Sequence, residues 1–482
     1  MNVPGATHAV ARIKTRLDHP VIDSDGHSIE FLPEVKERLA SLAGPSVVEG
    51  FDQITYGARL AQRLDGAQRR QLALTRIPFW ALPARQTIDR ATAMLPKLLH
   101  ERLDALGIDF AVLYPTYGLV GVHLLEDDRR QALCRAFNEW AAESYAPYAD
   151  RLAPVATIPM HTPAEAIAEL DHAVGTLGMR AVMMAGFAMR PYEGENLPRG
   201  ATWMDTFGLD SPHDYDPVWK RCEELGVSPT FHSTGMGWGT RVSTSNYVAN
   251  HIGSFGAAQE GTCRALFMGG VPWRFPKLRF AFLEGGVNWA RGLFSDLLGH
   301  WAKRNTEFLP HYDPANLDRA EFARLLDEYG TDAMRAHRDR LDEALCFLSD
   351  PETDPATIDD FARCPISKPE DIRDVFVHRF HFGCEADDPM NAGAFDTRLN
   401  PMGARLRAFF SSDIGHWDVP DMSDVLTEAY EMVERGYFDA EDFRDFVFSN
   451  PVSLWCGTNP EFFRGTRVED AVAHELARTG PG

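Results

Sequence analysis

Eight short apolar runs, set apart by longer stretches with helical periodicity, constrain this chain more than any other feature. They lie at residues 20–27, 108–114, 152–160, 179–184, 228–231, 279–286 (its end a turn), 375–382 and 406–411. Short apolar runs that alternate with helices are the pattern of parallel strands joined by helical crossovers. Eight such units predict an α/β fold of the (β/α)8 TIM barrel kind, and one barrel with insertions accounts for all 482 residues as a single domain, 1–482. Two stretches fall outside the repeat. Residues 31–106, with helix-like segments at 59–72 and 88–106 around a Pro-containing piece that carries Trp80, read as a cover over the active site. Residues 306–372, dense in Arg, Asp and Glu, read as a helical insertion, either a solvated lobe or an oligomer contact. A third loop, 188–214, rich in Pro, Gly and Tyr, is expected over the same end as the cover.

In such a barrel the polar residues at the C-terminal ends of strands are the candidates for chemistry. The first strand carries Asp25-Gly26-His27. In an extended chain alternate side chains share a face, so Asp25 and His27 point the same way. A carboxylate and an imidazole together suit zinc, manganese or iron, and Gly26 lets the backbone pass close to whatever they hold. Taken alone, the stretch also fits a turn with local hydrogen bonds and a surface histidine. The later strands add His232 after the fifth, Glu284 on the parity of Phe280 and Phe282 in the sixth, and Asp413 after the eighth. His416 stands three residues beyond Asp413, and Glu30 just beyond the first clamp.

These make seven candidate metal-binding groups: Asp25, His27, Glu30, His232, Glu284, Asp413 and His416. One ion takes four to six ligands including water, so the surplus permits a second. Glu30 has the alternative of capping the following segment, and His416 that of orienting Asp413. His161, His251, His378 and His381 read as structural or pocket histidines. Phe231, Trp238, Trp289 and Trp417 read as pocket wall.

A formal net charge of -22 argues against nucleic acid or an anionic membrane surface as partner. No apolar run is long enough to span a bilayer, and Met-Asn-Val-Pro-Gly at the start is not a secretory signal. The cytoplasm is the expected location. Seven scattered cysteines without a Cys-x-x-Cys pair predict reduced core thiols. The expected partners are a small-molecule substrate and, given the helical lobe, further copies of the chain.

The order Asp25-x-His27, Phe231-His232, Leu283-Glu284-Gly285-Gly286 and Ser412-Asp413-x-x-His416-Trp417-Asp418, closed by Asn450-Pro451 and Gly465-Thr466, resembles the amidohydrolase-related family. That is the branch of the amidohydrolase superfamily that includes aminocarboxymuconate semialdehyde decarboxylase and the resorcylate-type decarboxylases. The resemblance implies a metal-dependent hydrolase type of barrel with one divalent ion held by Asp25, His27, His232 and Asp413. Two positions depart from the pattern. Asp25 stands where family members often have His or Glu, and Glu284 where the decarboxylases carry a histidine used in catalysis. The fourth strand has no lysine, so the carbamylated-lysine bridge of the urease-like branch is not expected.

Three functions follow. The first is hydrolysis or non-oxidative decarboxylation of a small organic acid or amide at one divalent cation (zinc, manganese or iron), with Asp413, Glu284 and His232 as the catalytic groups. The second, similar to a small group of TIM-barrel non-haem diiron oxygenases on this superfamily, uses two ions, iron or an iron–manganese pair. The third is a metal-free binding or partner subunit.

Overall fold

The computed structural model describes residues 5–76, 83–192, 201–232, 240–346 and 358–479; Trp80 and Trp238 lie outside them. Eight strands run in the order β1 (Ile22–Ser28), β2 (Phe110–Pro115), β3 (Leu152–Ile158), β4 (Ala181–Met184), β5 (Pro229–Phe231), β6 (Phe280–Phe282), β7 (Phe380–Glu385) and β8 (Arg407–Ser411). Each pairs in parallel with the next. The ring closes where the Asp413 amide donates to the Asp25 carbonyl at 3.1 Å and the His27 amide to the Ile414 carbonyl at 2.9 Å. The fold is a (β/α)8 TIM barrel with surrounding helices.

Strands buried on both faces have no solvent side to alternate toward, and β1, β2 and β4 are buried at every position. Helices cover the outside. The helix Asp127–Tyr145 is pinned to β3 through Asn138, whose Nδ2 donates to the Thr157 carbonyl at 3.0 Å while its Oδ1 accepts from the Thr157 amide at 2.7 Å. The buried Arg130 of the same helix pairs with Glu165 at 2.7 Å.

The expected seventh strand is placed differently. Residues 375–378 belong to the helix Pro369–His378, which starts with a proline in its first turn and buries Ile372, Val375 and Phe376 on one face. The strand follows it, at Phe380–Glu385. In the excursion after β1, the expected helix at 59–72 is the end of one helix, Pro45–Arg63, and a second, Gly66–Gln71, capped by Asp65. The expected helix at 88–106 is also two, Thr87–Met94 and Pro96–Leu106, divided ahead of Pro96. The loop after β4 contains an antiparallel hairpin, Ala188–Pro191 with Thr202–Asp205.

The excursion is hydrogen-bonded to the segment after β5. There the Arg76 amide donates to the Ser243 carbonyl at 2.8 Å, and Asn250 Nδ2 donates to the Arg76 carbonyl at 2.8 Å. In the 306–372 stretch, the helices Arg319–Tyr329, Asp332–Arg335 and Leu341–Leu345 bury no residue. Their arginines pair locally, as Arg338 does with Asp327 at 2.9 Å. All seven cysteines are free, and only Cys346 is exposed. Among the described residues no helix is long and apolar enough to cross a membrane.

Candidate metal centre

The C-terminal ends of β1, β5, β6 and β8 deliver six side chains to one place. β1 brings Asp25 and His27 despite an extra residue between Asp23 and Gly26 in its pairing with β2. The bulge leaves no room for a side chain at Gly26, where a Cβ would lie 2.5 Å from Asp23 Oδ2. Asp23 uses that space. Its Oδ1 accepts from the Ser412 amide at 3.0 Å and its Oδ2 from the Ser412 hydroxyl, so β1 is tied to β8 directly below the site.

Glu284 and Asp413 share a second device. Each is the second residue beyond its strand, after Phe282 and Ser411, and each has a left-handed backbone, with φ of 55° and 50°. Residues other than glycine adopt this region at a cost on the order of 1–3 kcal/mol, and such strain gathers at functional sites. From these turns Glu284 Oε2 reaches His232 Nε2 at 2.9 Å and Asp413 Oδ1 reaches His27 Nε2 at 3.3 Å. Glu284 thus does not extend the strand face of Phe280 and Phe282; it is turned onto His232.

The distances describe a compact donor set. His27 Nε2 lies 3.2 Å from His232 Nε2, 3.3 Å from Asp413 Oδ1 and 3.7 Å from Asp25 Oδ1. His232 Nε2 lies 3.9 Å from Asp25 Oδ1 and 2.9 Å from Glu284 Oε2. His416 Nδ1 lies 2.7 Å from Asp413 Oδ1, and its ring stacks on His27. None of the six is more than 8% exposed. Donors held about 2.1 Å from one cation sit roughly 3.0–3.5 Å from each other, and the distances from His27 to His232 and to Asp413 fall in that range while the other four bracket it.

Charge supports the same reading. Burial holds His27 and His416 well below the usual imidazole range and lowers His232. Burial also pushes Asp25 up to about 8, against the opposing pull of His232. Asp413 and Glu284 are raised well above the carboxylate range, by burial first and then by Asp418. Asp25 Oδ1 is buried without a hydrogen-bond partner among the described residues. Neutral imidazoles and crowded, desolvated carboxylates are what a divalent cation resolves, because it takes the lone pairs and cancels the repulsion. The residues fit such an ion. They form two overlapping sets, Asp25, His27 and His232, and His27, Glu284, Asp413 and His416, each with its donor atoms within 4.8 Å of one another.

Glu30, expected as a ligand or a cap, stands apart from these sets. Its carboxylate accepts from the amides of Thr116, Tyr117 and Gly118 at 3.3, 2.9 and 2.8 Å. It is therefore a cap, of the turn after β2 and not of the segment that follows it in sequence. Three amides left open by that turn need a buried acceptor, and both of its oxygens are engaged.

Glu385 and the Tyr114–Thr230 pair carry no sequence signal that marks them as part of the mouth. Glu385 ends β7 and is pushed up to about 8 by burial and then by Asp418 and Glu284. Below the donors, the Tyr114 hydroxyl donates to Thr230 Oγ1 at 2.9 Å, which donates to the Val182 carbonyl at 2.7 Å. Trp417 packs edge-on to Tyr247 and His251 at 5.3 and 5.2 Å. Phe231 and Trp289 pack against Phe282 in the barrel, at 5.6 and 5.8 Å. His381 lies buried on β7 with Nε2 3.2 Å from Ser453 Oγ.

The family model described as amidohydrolase matches residues 22–335. Solved structures similar to the chain include a 2,6-dihydroxybenzoate decarboxylase from Rhizobium, at 17% identity and a TM-score of 0.44 over 91% of this chain and 98% of that one. A dihydroxybenzoic acid decarboxylase from Polaromonas, solved with manganese and 2-nitroresorcinol, is 15% identical with a TM-score of 0.48 over 92% and 99%. A 5-carboxyvanillate decarboxylase from Sphingomonas paucimobilis is 14% identical with a TM-score of 0.47 over 90% and 98%.

Proposed function

The chain belongs to the amidohydrolase family, and from that premise we propose that it is a divalent-cation-dependent enzyme acting on a small organic acid, by non-oxidative decarboxylation or by hydrolysis. The observation that carries this reading is the convergence of Asp25, His27, His232 and Asp413 from three separate strand ends, with distances from 3.2 to 3.9 Å among their donor atoms. These four would hold the cation. When bound, it supplies a positive centre that orients substrate oxygens and stabilises charge developing on them.

The chain's own groups do the rest. In decarboxylation the bond from carbon to carboxylate breaks, its electron pair stays on the carbon, and carbon dioxide leaves. Asp413, protonated at Oδ2, delivers the proton that carbon then needs. In hydrolysis the proton moves the other way, from attacking water to Asp413 or Glu284. Glu284, whose Oε2 lies 2.9 Å from the same His232 Nε2 that faces His27 and Asp25, would stand beside the ion as a further donor or proton acceptor. The excursion after β1 and the segment after β5, joined through Arg76, Ser243 and Asn250, keep bulk water from the mouth. The test is metal content of the purified chain together with carbon dioxide release. One zinc or manganese per chain supports the proposal, and no stoichiometric metal favours a binding or partner subunit.

The two overlapping donor sets favour a second reading, a dinuclear iron or iron–manganese oxygenase in which Glu284 and His416 serve the second ion. Two irons per chain and dioxygen uptake with a reductant would replace the first reading with this one.

A further inference from the structure

Three residues beyond the end of β3 stands His161, a side chain that the metal centre does not use. It is 8% exposed, and neither of its ring nitrogens has a hydrogen-bond partner among the described residues. Its backbone is the opposite case. Arg190 donates to the His161 carbonyl at 2.6 Å and the Tyr215 hydroxyl to the Met160 carbonyl at 2.6 Å. Arg190 is itself fixed by Asp205 at 2.9 Å and by the Tyr215 hydroxyl at 2.8 Å. A main chain clamped this firmly around a bare imidazole is a preorganised binding group, because the ordering cost is met before any ligand arrives.

A second imidazole stands beside it. His123, on the segment after β2, has Nε2 buried without a partner among the described residues. It lies close enough to His161 for a charge on one to disfavour a charge on the other. Its ring rests on Phe187, third residue beyond β4, with centroids 4.9 Å apart. The three side chains therefore come from the connections that follow β2, β3 and β4, His123 from beyond the helix Gly118–Gly121, at the same end of the barrel as the metal donors. Buried polar atoms without partners are uncommon in folded proteins, and each calls for a ligand, water or ion.

We propose that His123 and His161 form a subsite that binds a hydroxyl group of the substrate through the ring nitrogens that the connections after β2 and β3 present. The inference rests on reading this end of the barrel as the active site for a small organic acid, and names a group that such an acid carries. A neutral imidazole offers one donor and one acceptor, and a hydroxyl offers both in return. A carboxylate only accepts, and would need protonated rings. Burial, with Arg130 and Arg190 nearby, holds His161 down at about 4, and burial holds His123 at about 4. Asp127 and Asp205 face His161 with the opposite effect and do not outweigh the rest.

The experiment uses the full zinc-loaded chain and a probe series: benzoate, its 2-, 3- and 4-hydroxy derivatives, and isophthalate, each titrated calorimetrically. At least one hydroxybenzoate is expected to bind ten times more tightly than benzoate, with that gain lost in His161→Phe and His123→Phe and benzoate affinity unchanged. In histidine-15N spectra of the unsubstituted chain, the ring nitrogens of His123 and His161 are expected to shift with the hydroxybenzoate and not with benzoate. Because the bare nitrogens vanish, His161→Phe should unfold at the same temperature or higher. The proposal is overturned if every hydroxyl gain survives both substitutions, if the ring nitrogens do not respond, or if isophthalate is the probe that the substitutions weaken. Zinc content and carbon dioxide release score the catalytic reading separately, so either can fail alone.

Discussion

The imidazole of His416 lies on that of His27, with ring centroids 3.7 Å apart and planes 26° from parallel, and its Nδ1 reaches Asp413. It thus touches donors from β1 and β8 at once. His416→Phe keeps the stacking surface and removes the contact to Asp413. A residue that only orients a ligand typically changes metal affinity 10–100-fold, so the variant should keep one ion per chain, bound more weakly by about that factor. Metal analysis after dialysis checks this. Loss of one ion out of two would assign His416 to a second metal.

Glu284→Gln keeps the size of the side chain and removes its capacity to take a proton. Turnover should fall by about 10²–10⁴-fold, the usual contribution of a general acid or base, with the first metal retained. Steady-state rates on the metal-loaded variant decide, and near-normal activity would remove Glu284 from the mechanism.

Gly26→Ala places a methyl 2.5 Å from Asp23 Oδ2 and 3.3 Å from both Ile414 and Leu113. The carboxylate that ties β1 to Ser412 must move. Overpacking of this kind costs about 1–3 kcal/mol. Calorimetry should show a lower unfolding temperature, and metal affinity should drop with it, since Asp25 and Asp413 flank the same tie.

Stability should fall on acidification for reasons away from the metal. Arg478, Arg444 and Ser449 hold Glu475 down to about 2 against burial, from an ordinary 4.5. A depressed carboxylate contributes stability that is present above 4.5 and lost as pH falls toward 2, up to about 3 kcal/mol. His123, at about 4 against an ordinary 6.5, acts in the same direction, because the unfolded chain gains its proton first between those values. Glu475→Gln should flatten the denaturation profile below pH 4.5 and leave the region above 5 with its slope intact.

The barrel was legible because each strand is a short apolar run and each donor stands at the end of one. Asp25, His27, His232 and Asp413 stand at such places, and it is the family resemblance that groups them as one ligand set. Residues 375–382 were not, because Val375 and Phe376 are as apolar as a strand requires and their helical spacing with Ile372 shows only when Pro369 is taken as a helix start. That shift hid Glu385, which ends the true strand. Glu30 could not be placed because its partners, the amides of 116–118, are created by a turn 86 to 88 positions away. His161 and His123 carried no motif. What marks them is the contrast between a fixed backbone and an unsatisfied ring, and no sequence displays that.

The left-handed backbone at Glu284 and Asp413 sets the barrel's endurance against its chemistry. Glycine would relax both turns and leave nothing to grip a cation or carry a proton. A population of this chain selected for heat resistance alone would drift toward glycine at 284 and 413, and would become sturdier as it fell silent.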